Sequence, residues 1–203
     1  MAFQPPSVIQ TARTALPKAE LLFPQVLHGP STEGVSKINE AIRSEVERLV
    51  HEQGSLADPR AEMQGYYELK TNEKNVLSLS LYNYAYTGGA HGMTLQKSLT
   101  FKQSTGEPYE LKDLFKPNSP YVDTISAIVG KQIRERGIPT FEPFQSISPD
   151  QSFYIADRSL IIYFQLYEIA PYVYGFLYFP ISVYELQDII DEDGPLGPML
   201  MND

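Results

Sequence analysis

The chain has 203 residues, a formal net charge of −9, and neither cysteine nor tryptophan. Hydrophobic residues make up 42% and aromatic residues 12% of it, which is typical of a folded globular protein rather than a disordered one. The lack of cysteine excludes disulfide bonds, thiolate nucleophiles and cysteine-ligated metal sites.

The charge is unevenly distributed along the chain. Residues 1–137 contain 15 Lys and Arg against 15 Asp and Glu, whereas residues 138–203 contain only Arg158 against ten acids. Because the sequence offers no basic region for contacts with phosphates, it argues against a nucleic-acid partner. An acidic region instead favours encounter with a basic protein.

Two observations concern membranes and export. No apolar run approaches the roughly 20 residues that a membrane-spanning helix needs. The first 20 residues contain no continuous apolar segment of the kind found in signal peptides. The sequence therefore predicts either a cytoplasmic protein or an extracytoplasmic one whose signal or anchor lies outside these residues.

The N-terminal half predicts strands around one amphipathic helix. Residues 1–15 are predicted as a polar lead-in. The predicted elements that follow are a strand at 21–27, a helix at 31–52 capped by Ser31 or Thr32, and a strand at 64–70. The helix assignment depends on the apolar residues Val35, Ile38, Ile42, Val46 and Leu49, which are spaced three and four apart.

The segment 76–92 contains the clearest pattern in the sequence. From Val76 to Tyr86, leucines at 77, 79 and 81 alternate with Ser78, Ser80 and three tyrosines at 82, 84 and 86, which predicts a strand with one aliphatic face. The tyrosine face predicts either a recognition surface or a sheet face covered by a helix. The strand leads into Gly-Gly-Ala-His-Gly at 88–92, and a further strand is predicted at 93–101.

The C-terminal half predicts a second helix and a hairpin. Its predicted elements are a helix from Ser119 to Gly137, a loop at 138–151, strands at 153–155, 160–166 and 176–181, a short helix at 184–190, and a flexible acidic tail at 191–203. Because no linker separates the halves, we predict a single domain at 16–190. The predicted fold class is α+β, a mostly antiparallel sheet with two main helices packed against it.

Several short motifs resemble a known family. They are Tyr-Ala-Tyr-Thr-Gly-Gly-Ala-His-Gly at 84–92, Ser-Thr-Gly at 104–106, Leu-Lys-Asp-Leu-Phe at 111–115, and Tyr-Glu-Ile-Ala-Pro at 167–171 followed by Gly175. Over residues 16–190 the chain resembles the bacterial RsiV/PdaC-like extracytoplasmic domain family. In the anti-sigma factor RsiV the similar domain is a sensor that binds lysozyme, and in PdaC a separate domain carries the deacetylase chemistry. The resemblance implies a non-catalytic cell-envelope module, without a cofactor, that binds a basic protein such as lysozyme or a peptidoglycan glycan.

Two residues could carry chemistry instead. His91 is able to act as a base, an acid or a ligand near neutral pH, although a histidine after glycines often only fixes a loop. No metal site is predicted, because His28 and His51 lack ligand spacing. Glu168 lies among apolar residues that would favour a protonated carboxyl group for acid–base work, unless it binds a backbone N–H or a cation. If the sheet brings them together, Glu68 and Glu168 could also form a carboxylate pair.

The sequence thus leaves two main hypotheses for function, besides a cytoplasmic scaffold protein that only the missing signal peptide supports. For a binding module, the predicted binding residues are Tyr84, Tyr86, Gly88, Gly89, His91, Gly92, Tyr167, Glu168 and Tyr172. For a hydrolase acting on cell-wall glycans or esters, the predicted catalytic residues are His91 and Glu168. A pair formed by His91 and a carboxylate at the base of an open pocket would favour the hydrolase, and a shallow surface lined by tyrosines would favour binding.

Overall fold

A computed structural model describes residues 5–58 and 60–201, so the first four residues of the predicted lead-in and the last two of the predicted tail lie outside the described residues. The chain divides into two compact units, residues 1–108 and residues 109–203. Both combine helix with mostly antiparallel sheet, which confirms the predicted α+β class, although the strands form two sheets rather than one. The single domain at 16–190 stays a prediction.

The N-terminal unit contains a five-stranded sheet in the order β1-β2-β3-β4-β5. The strands are β1 Val8–Leu16, β2 Ala19–His28, β3 Glu62–Glu73, β4 Val76–Tyr86 and β5 Met93–Lys102. Neighbouring strands are antiparallel except β2 and β3, which are joined by the segment that contains a helix and pair in parallel. Strand β1 corrects the predicted lead-in: a short turn after Leu16 lets this segment pair with β2 along its whole length.

Helix α1, Thr32–Glu52, begins and packs as the sequence predicts. The Ser31 hydroxyl accepts a hydrogen bond from the Gly34 N–H at 3.1 Å, which satisfies one of the free donors of the first turn. The stripe that includes Ile38 and Ile42 packs with the leucines of β4 in one buried cluster. This cluster is the core of the N-terminal unit.

The polar face of β4 and β5 differs from the sequence prediction. Ser78, Ser80 and Gln96 are fully buried, whereas Leu95 and Leu99 on the opposite face of β5 are only partly buried. The hydroxyls of Ser78 and Thr100 lie 2.8 Å apart, as do those of Ser80 and Ser98. These cross-strand hydrogen bonds let hydroxyl groups be buried without loss of a partner.

The C-terminal unit combines helix α2, Tyr121–Glu135, with a three-stranded sheet. Its strands are β6 Phe153–Ala156, β7 Ser159–Phe164 and β8 Leu177–Ser182, in the order β6-β7-β8. All residues of β7 from Leu160 to Phe164 are buried, which confirms the prediction of a central strand covered on both faces.

Three details of the C-terminal unit correct the sequence predictions. Ser119 does not cap α2, because the helix begins after Pro120 and no side chain caps it. The short helix expected at 184–190 is a 3₁₀ turn over Val183–Glu185. The expected flexible tail contains helix α3, Gly197–Leu200, and its apolar residues Leu196 and Met199 are fully buried, so residues 191–201 pack onto this unit.

Candidate functional site

The glycine loop, residues 87–92, connects β4 to β5 and holds most of the predicted binding residues of the N-terminal unit. Tyr84 is 36% exposed, and the tip of its ring lies against Gly92 so closely that a Cβ at position 92 would stand 2.3 Å from the ring Cζ. The Tyr86 hydroxyl donates a hydrogen bond to the Gly89 carbonyl at 3.0 Å. The two tyrosines therefore hold the loop at Gly89 and at Gly92.

His91 lies in the exposed part of the glycine loop. Its Nδ1 lies 2.8 Å from the carbonyl oxygen of Gly92, the next residue in the chain. This contact is of the loop-fixing kind that the sequence left open as the alternative to chemistry. Arg60, which is paired with Asp58 at 2.9 Å, lies beside Gly88 at the rim of the same loop.

The tyrosine loop, residues 165–175, holds the predicted binding residues of the C-terminal unit. Glu168 is exposed, and its carboxylate accepts a hydrogen bond from the Gln165 N–H at 2.6 Å and from the Gln151 side chain at 3.4 Å. The apolar setting that favoured acid–base work is therefore absent around this side chain. Glu168 closes the base of the loop, where Tyr167 adopts a left-handed backbone with φ of 64°.

The top of the tyrosine loop is an exposed apolar surface. The rings of Tyr167 and Tyr172 lie 5.3 Å apart, and these side chains are 46% and 37% exposed. Val173 is 83% exposed and Tyr174 is 46% exposed, on a 3₁₀ turn between Pro171 and Gly175. The backbone of the exposed Phe141 lies beside the same loop, because its N–H donates to the Ile169 carbonyl at 2.9 Å.

Val173 and Phe141 are not among the binding residues that the sequence predicts. For Val173 the signal is the tripeptide Tyr-Val-Tyr held between a proline and a glycine, which forces the apolar side chains of a tight turn into solvent. For Phe141 the signal is an aromatic residue in a proline-rich loop between Pro139 and Pro143.

The predicted residues fall into two groups, one in each unit. The glycine loop brings together Tyr84, Tyr86, Gly88, Gly89, His91 and Gly92, and the tyrosine loop brings together Tyr167, Glu168 and Tyr172. The catalytic pair of His91 with Glu168, and the carboxylate pair of Glu168 with Glu68, therefore stay predictions. Glu68 lies in an ion pair with Lys70 and accepts a hydrogen bond from the Tyr82 hydroxyl at 3.0 Å, and both contacts lower its pKa.

A groove of about 580 Å³ lies between α1 and the β1–β2 side of the N-terminal sheet. Its apolar lining is formed by Leu21, Phe23, Val46, Val50 and Leu56, and Arg43, Glu47 and His51 on α1 supply its polar part. Neither His91 nor Glu168 lines this groove. Its size is that of a small-molecule site, but its residues are not those that the hydrolase hypothesis names.

Two further findings concern metals and membranes. Among residues 5–58 and 60–201, no group of three or more His, Asp or Glu is placed to hold a metal ion. Over the same part of the chain, no helix is both long enough and apolar enough to cross a bilayer.

Comparison with known families gives two matches along the chain. Residues 13–94 match the family described as "Deacetylase PdaC", and residues 112–184 match the family described as "Protein of unknown function (DUF3298)". The first match falls within the N-terminal unit and the second within the C-terminal unit. Together with the relatives below, they support an RsiV/PdaC-like domain family.

Three curated relatives are similar in sequence. Anti-sigma-V factor RsiV of Bacillus subtilis is 27% identical over 76% of this chain, and Peptidoglycan-N-acetylmuramic acid deacetylase PdaC of the same species is 24% identical over 66%. Esterase Rv3036c of Mycobacterium tuberculosis is 34% identical over 43%. The chain spans 59% of RsiV, 30% of PdaC and 40% of the esterase, so it matches only part of each relative.

Two solved structures share the fold. A DUF3298 family protein from Pseudomonas aeruginosa PAO1 has a TM-score of 0.69 at 14% identity, and covers 93% of this chain and 96% of its own. A DUF3298 family member from Bacteroides fragilis NCTC 9343 has a TM-score of 0.68 at 16% identity, with 98% of each chain covered. At these identities the likeness shows the fold alone.

Proposed function

We propose that this chain is a non-catalytic binding or sensing module of the cell envelope, because its two family matches and its relatives support an RsiV/PdaC-like domain family. Its partner in this proposal is a basic protein of the lysozyme type, with a peptidoglycan glycan as the second ligand class. The proposal places the protein outside the cytoplasm, as the resemblance to the extracytoplasmic family implies.

The exposed tyrosine loop is the observation that supports binding. Tyr167, Tyr172, Val173 and Tyr174 present apolar area to solvent on a turn that Glu168 closes at its base. Exposed apolar patches on soluble domains commonly mark interaction sites. Tyrosine adds a polar tip to a large apolar ring and is enriched among residues that dominate binding energy.

The charge of the same unit supports a basic partner. Residues 109–203 contain six Lys and Arg against 14 Asp and Glu, and Arg158 is the one base among them beyond residue 137. Glu142 lies next to the exposed Phe141. The Ser148 hydroxyl and a backbone N–H donate to the Asp150 carboxylate and lower its pKa, so this group stays ionised at neutral pH. A negative field of this kind accelerates encounter with a cation and weakens as salt shortens the Debye length to about 8 Å.

The test is a titration of the protein against hen lysozyme and against soluble peptidoglycan fragments, at low and high salt. We expect the affinity for lysozyme to weaken with salt. In Val173→Asp it should fall at least about tenfold, since a charge placed at the centre of an interface removes most of the binding free energy. Glu142→Lys and Asp150→Lys should weaken it further at low salt.

Two matched controls separate these effects from general damage. Tyr184→Ala removes a 45% exposed tyrosine of the same unit that lies outside the tyrosine loop, and Glu40→Lys makes the same charge change on α1. Both should bind as the parent protein does. Failure of lysozyme and glycan alike to bind at low salt, or binding indifferent to Val173→Asp, would contradict the proposal.

The similarity to Esterase Rv3036c favours one alternative, a hydrolase acting on cell-wall esters or glycans through His91 and Glu168. The experiment is turnover of a p-nitrophenyl acyl ester by the parent protein, His91→Ala and Glu168→Gln. Activity that disappears in both variants, while circular dichroism shows them folded, would establish the alternative. Activity equal in all three proteins would rule these residues out as catalysts.

A further inference from the structure

We propose that β1 is the interaction surface for a second copy of this chain, with two β1 strands pairing antiparallel about a two-fold axis at Ala12. This would join the N-terminal sheets of two molecules into one continuous sheet. The proposal concerns a part of the chain separate from the tyrosine loop, and it does not depend on the ligand of that loop.

Strand β1 is an open edge. It is the outermost strand of its sheet, it pairs with β2 on one side only, and most of its nine residues are exposed. In the described part of the chain, no segment other than β2 makes a backbone hydrogen bond with residues 8–16. An edge of this length presents a row of unpaired N–H and C=O groups that an added strand satisfies.

The described strands at the other edges are covered or short. The Gln53 side chain donates to the carbonyl of Met93 on β5, and Pro108 forms a bridge with Phe101 near the other end of that strand. On β8, Gln132 and Arg136 on α2 donate to backbone carbonyls, at 2.8 Å and 2.7 Å. Strand β6 is four residues long.

Among the devices that protect an edge, β1 has no proline, lysine or inward charge, and its one register irregularity lies at its start, between Val8 and Ile9. Its sequence, Val-Ile-Gln-Thr-Ala-Arg-Thr-Ala-Leu, carries one charge, and Arg13 already pairs with Glu20 on the neighbouring strand at 2.7 Å. The contrast with β5 and β8 supports β1 as the edge that a second copy pairs with.

The register with β2 shows which groups of β1 face outward. In an antiparallel ladder, residues alternate between pairs that exchange both hydrogen bonds and pairs that exchange none. Thr11 lies opposite Pro24, which has no N–H to donate, so this pair belongs to the second kind. The N–H and C=O of Thr11 therefore point away from β2, as do those of Ile9, Arg13 and Ala15.

With a two-fold axis at Ala12, the outward N–H and C=O groups of one copy lie opposite the outward groups of the other copy. Thr11 then meets Arg13 of the second copy, and Ile9 meets Ala15, so that each outward residue faces an outward residue. The exposed Val8 and Leu16, at 51% and 47%, also meet one another across the axis. No like charges are opposed, because the one charged residue faces a threonine.

The interface is small, so the expected dimer is weak. Two nine-residue strands bury less than the roughly 1,600 Å² of a standard interface, which places the dissociation constant in about the micromolar range. Sedimentation velocity of the full chain from low to high micromolar concentration should therefore show a reversible shift from monomer to dimer.

Substitution at the axis gives the decisive test, because position 12 then meets itself. Ala12→Lys and Ala12→Glu should each raise the dissociation constant about fivefold or more through like-charge repulsion, and an equimolar mixture of the two should restore association. Thr94→Lys and Thr94→Glu make the same changes on β5 and should associate like the parent protein. Thr11→Pro removes an outward N–H without removing a hydrogen bond to β2, so it should also abolish the dimer. It provides the test if the Ala12 variants do not fold.

Three results would overturn the proposal. The first is a parent protein that stays monomeric throughout the concentration range, and the second is charged Ala12 variants that associate like the parent protein. The third is an equimolar mixture of Ala12→Lys and Ala12→Glu that associates no more tightly than either variant alone. Lysozyme titration of Thr11→Pro should be unchanged, which keeps this test separate from that of the tyrosine loop.

Discussion

Replacing Gly92 by alanine should destabilise the protein, because the new methyl group would collide with Tyr84. A Cβ built at position 92 lies 2.3, 2.4 and 2.5 Å from the Cζ, hydroxyl and Cε2 atoms of that ring, all well inside van der Waals contact. Overpacking of this kind typically costs about 1–3 kcal/mol. Since Tyr84 is 36% exposed, its ring can turn toward solvent, and we expect a loss of about 1 kcal/mol in the free energy of unfolding.

A double-mutant cycle isolates the collision from other effects of the alanine. In the Tyr84→Ala background the ring is gone, so Gly92→Ala should cost close to nothing there, and the coupling between positions 84 and 92 should be about 1 kcal/mol. Urea unfolding followed by circular dichroism measures all four proteins. A coupling below about 0.3 kcal/mol would refute the contact between Tyr84 and Gly92.

Three further predictions concern the N-terminal unit. Leu79→Ala should cost about 2–5 kcal/mol in urea unfolding, because this leucine is fully buried in the α1 cluster. Gly89→Val should cost about 1–3 kcal/mol through its φ of +142° rather than through crowding, and a chelator should leave the melting temperature unchanged. Arg60 lowers the pKa of Asp58 from 3.8 to about 2, so its contact with the ionised carboxylate stabilises the folded protein above pH about 4. This stabilisation is lost as the pH falls toward 2. Arg60→Ala should raise the pKa of Asp58 toward 3.8 in an NMR titration.

Elements with a strong local pattern could be predicted from the sequence. Strand β4 has the bounds that the Leu/Tyr alternation indicates, and α1 begins after the predicted cap Ser31. Strand β1 was missed because its residues mix Thr, Ala, Gln and Arg without clear alternation, so that pairing with β2 rather than local propensity decides its structure. The tail was missed because Leu196 and Met199 lie among glycines, prolines and acids that indicate disorder by composition.

The candidate sites were predictable to a different degree in each unit. The glycines and tyrosines at 84–92 indicate a loop held by close contacts, and the structure shows those contacts. The tyrosine loop was predicted from Tyr167 and Tyr172, but the most exposed apolar residue of its turn is Val173. Valine is usually a core residue, so the exposure of Val173 follows from the tight turn between Pro171 and Gly175 and not from its residue type.

Side-chain polarity along β4 and β5 does not indicate which face of the sheet is buried. Ser78 and Ser80 are as deeply buried as the leucines that alternate with them, and Gln96 is more buried than Leu95. A hydroxyl can be buried at little cost when the residue directly opposite it supplies a partner, as Thr100 does for Ser78. That partner lies 22 residues away in the sequence, so it is determined by strand register and not by local composition. Tyr82 also depends on strand pairing: its ring stacks at 4.6 Å on Tyr66, the residue directly opposite, and its hydroxyl donates to Glu68 on the same neighbouring strand. Tyr82 is therefore buried, whereas Tyr84, two residues further along the strand, is 36% exposed.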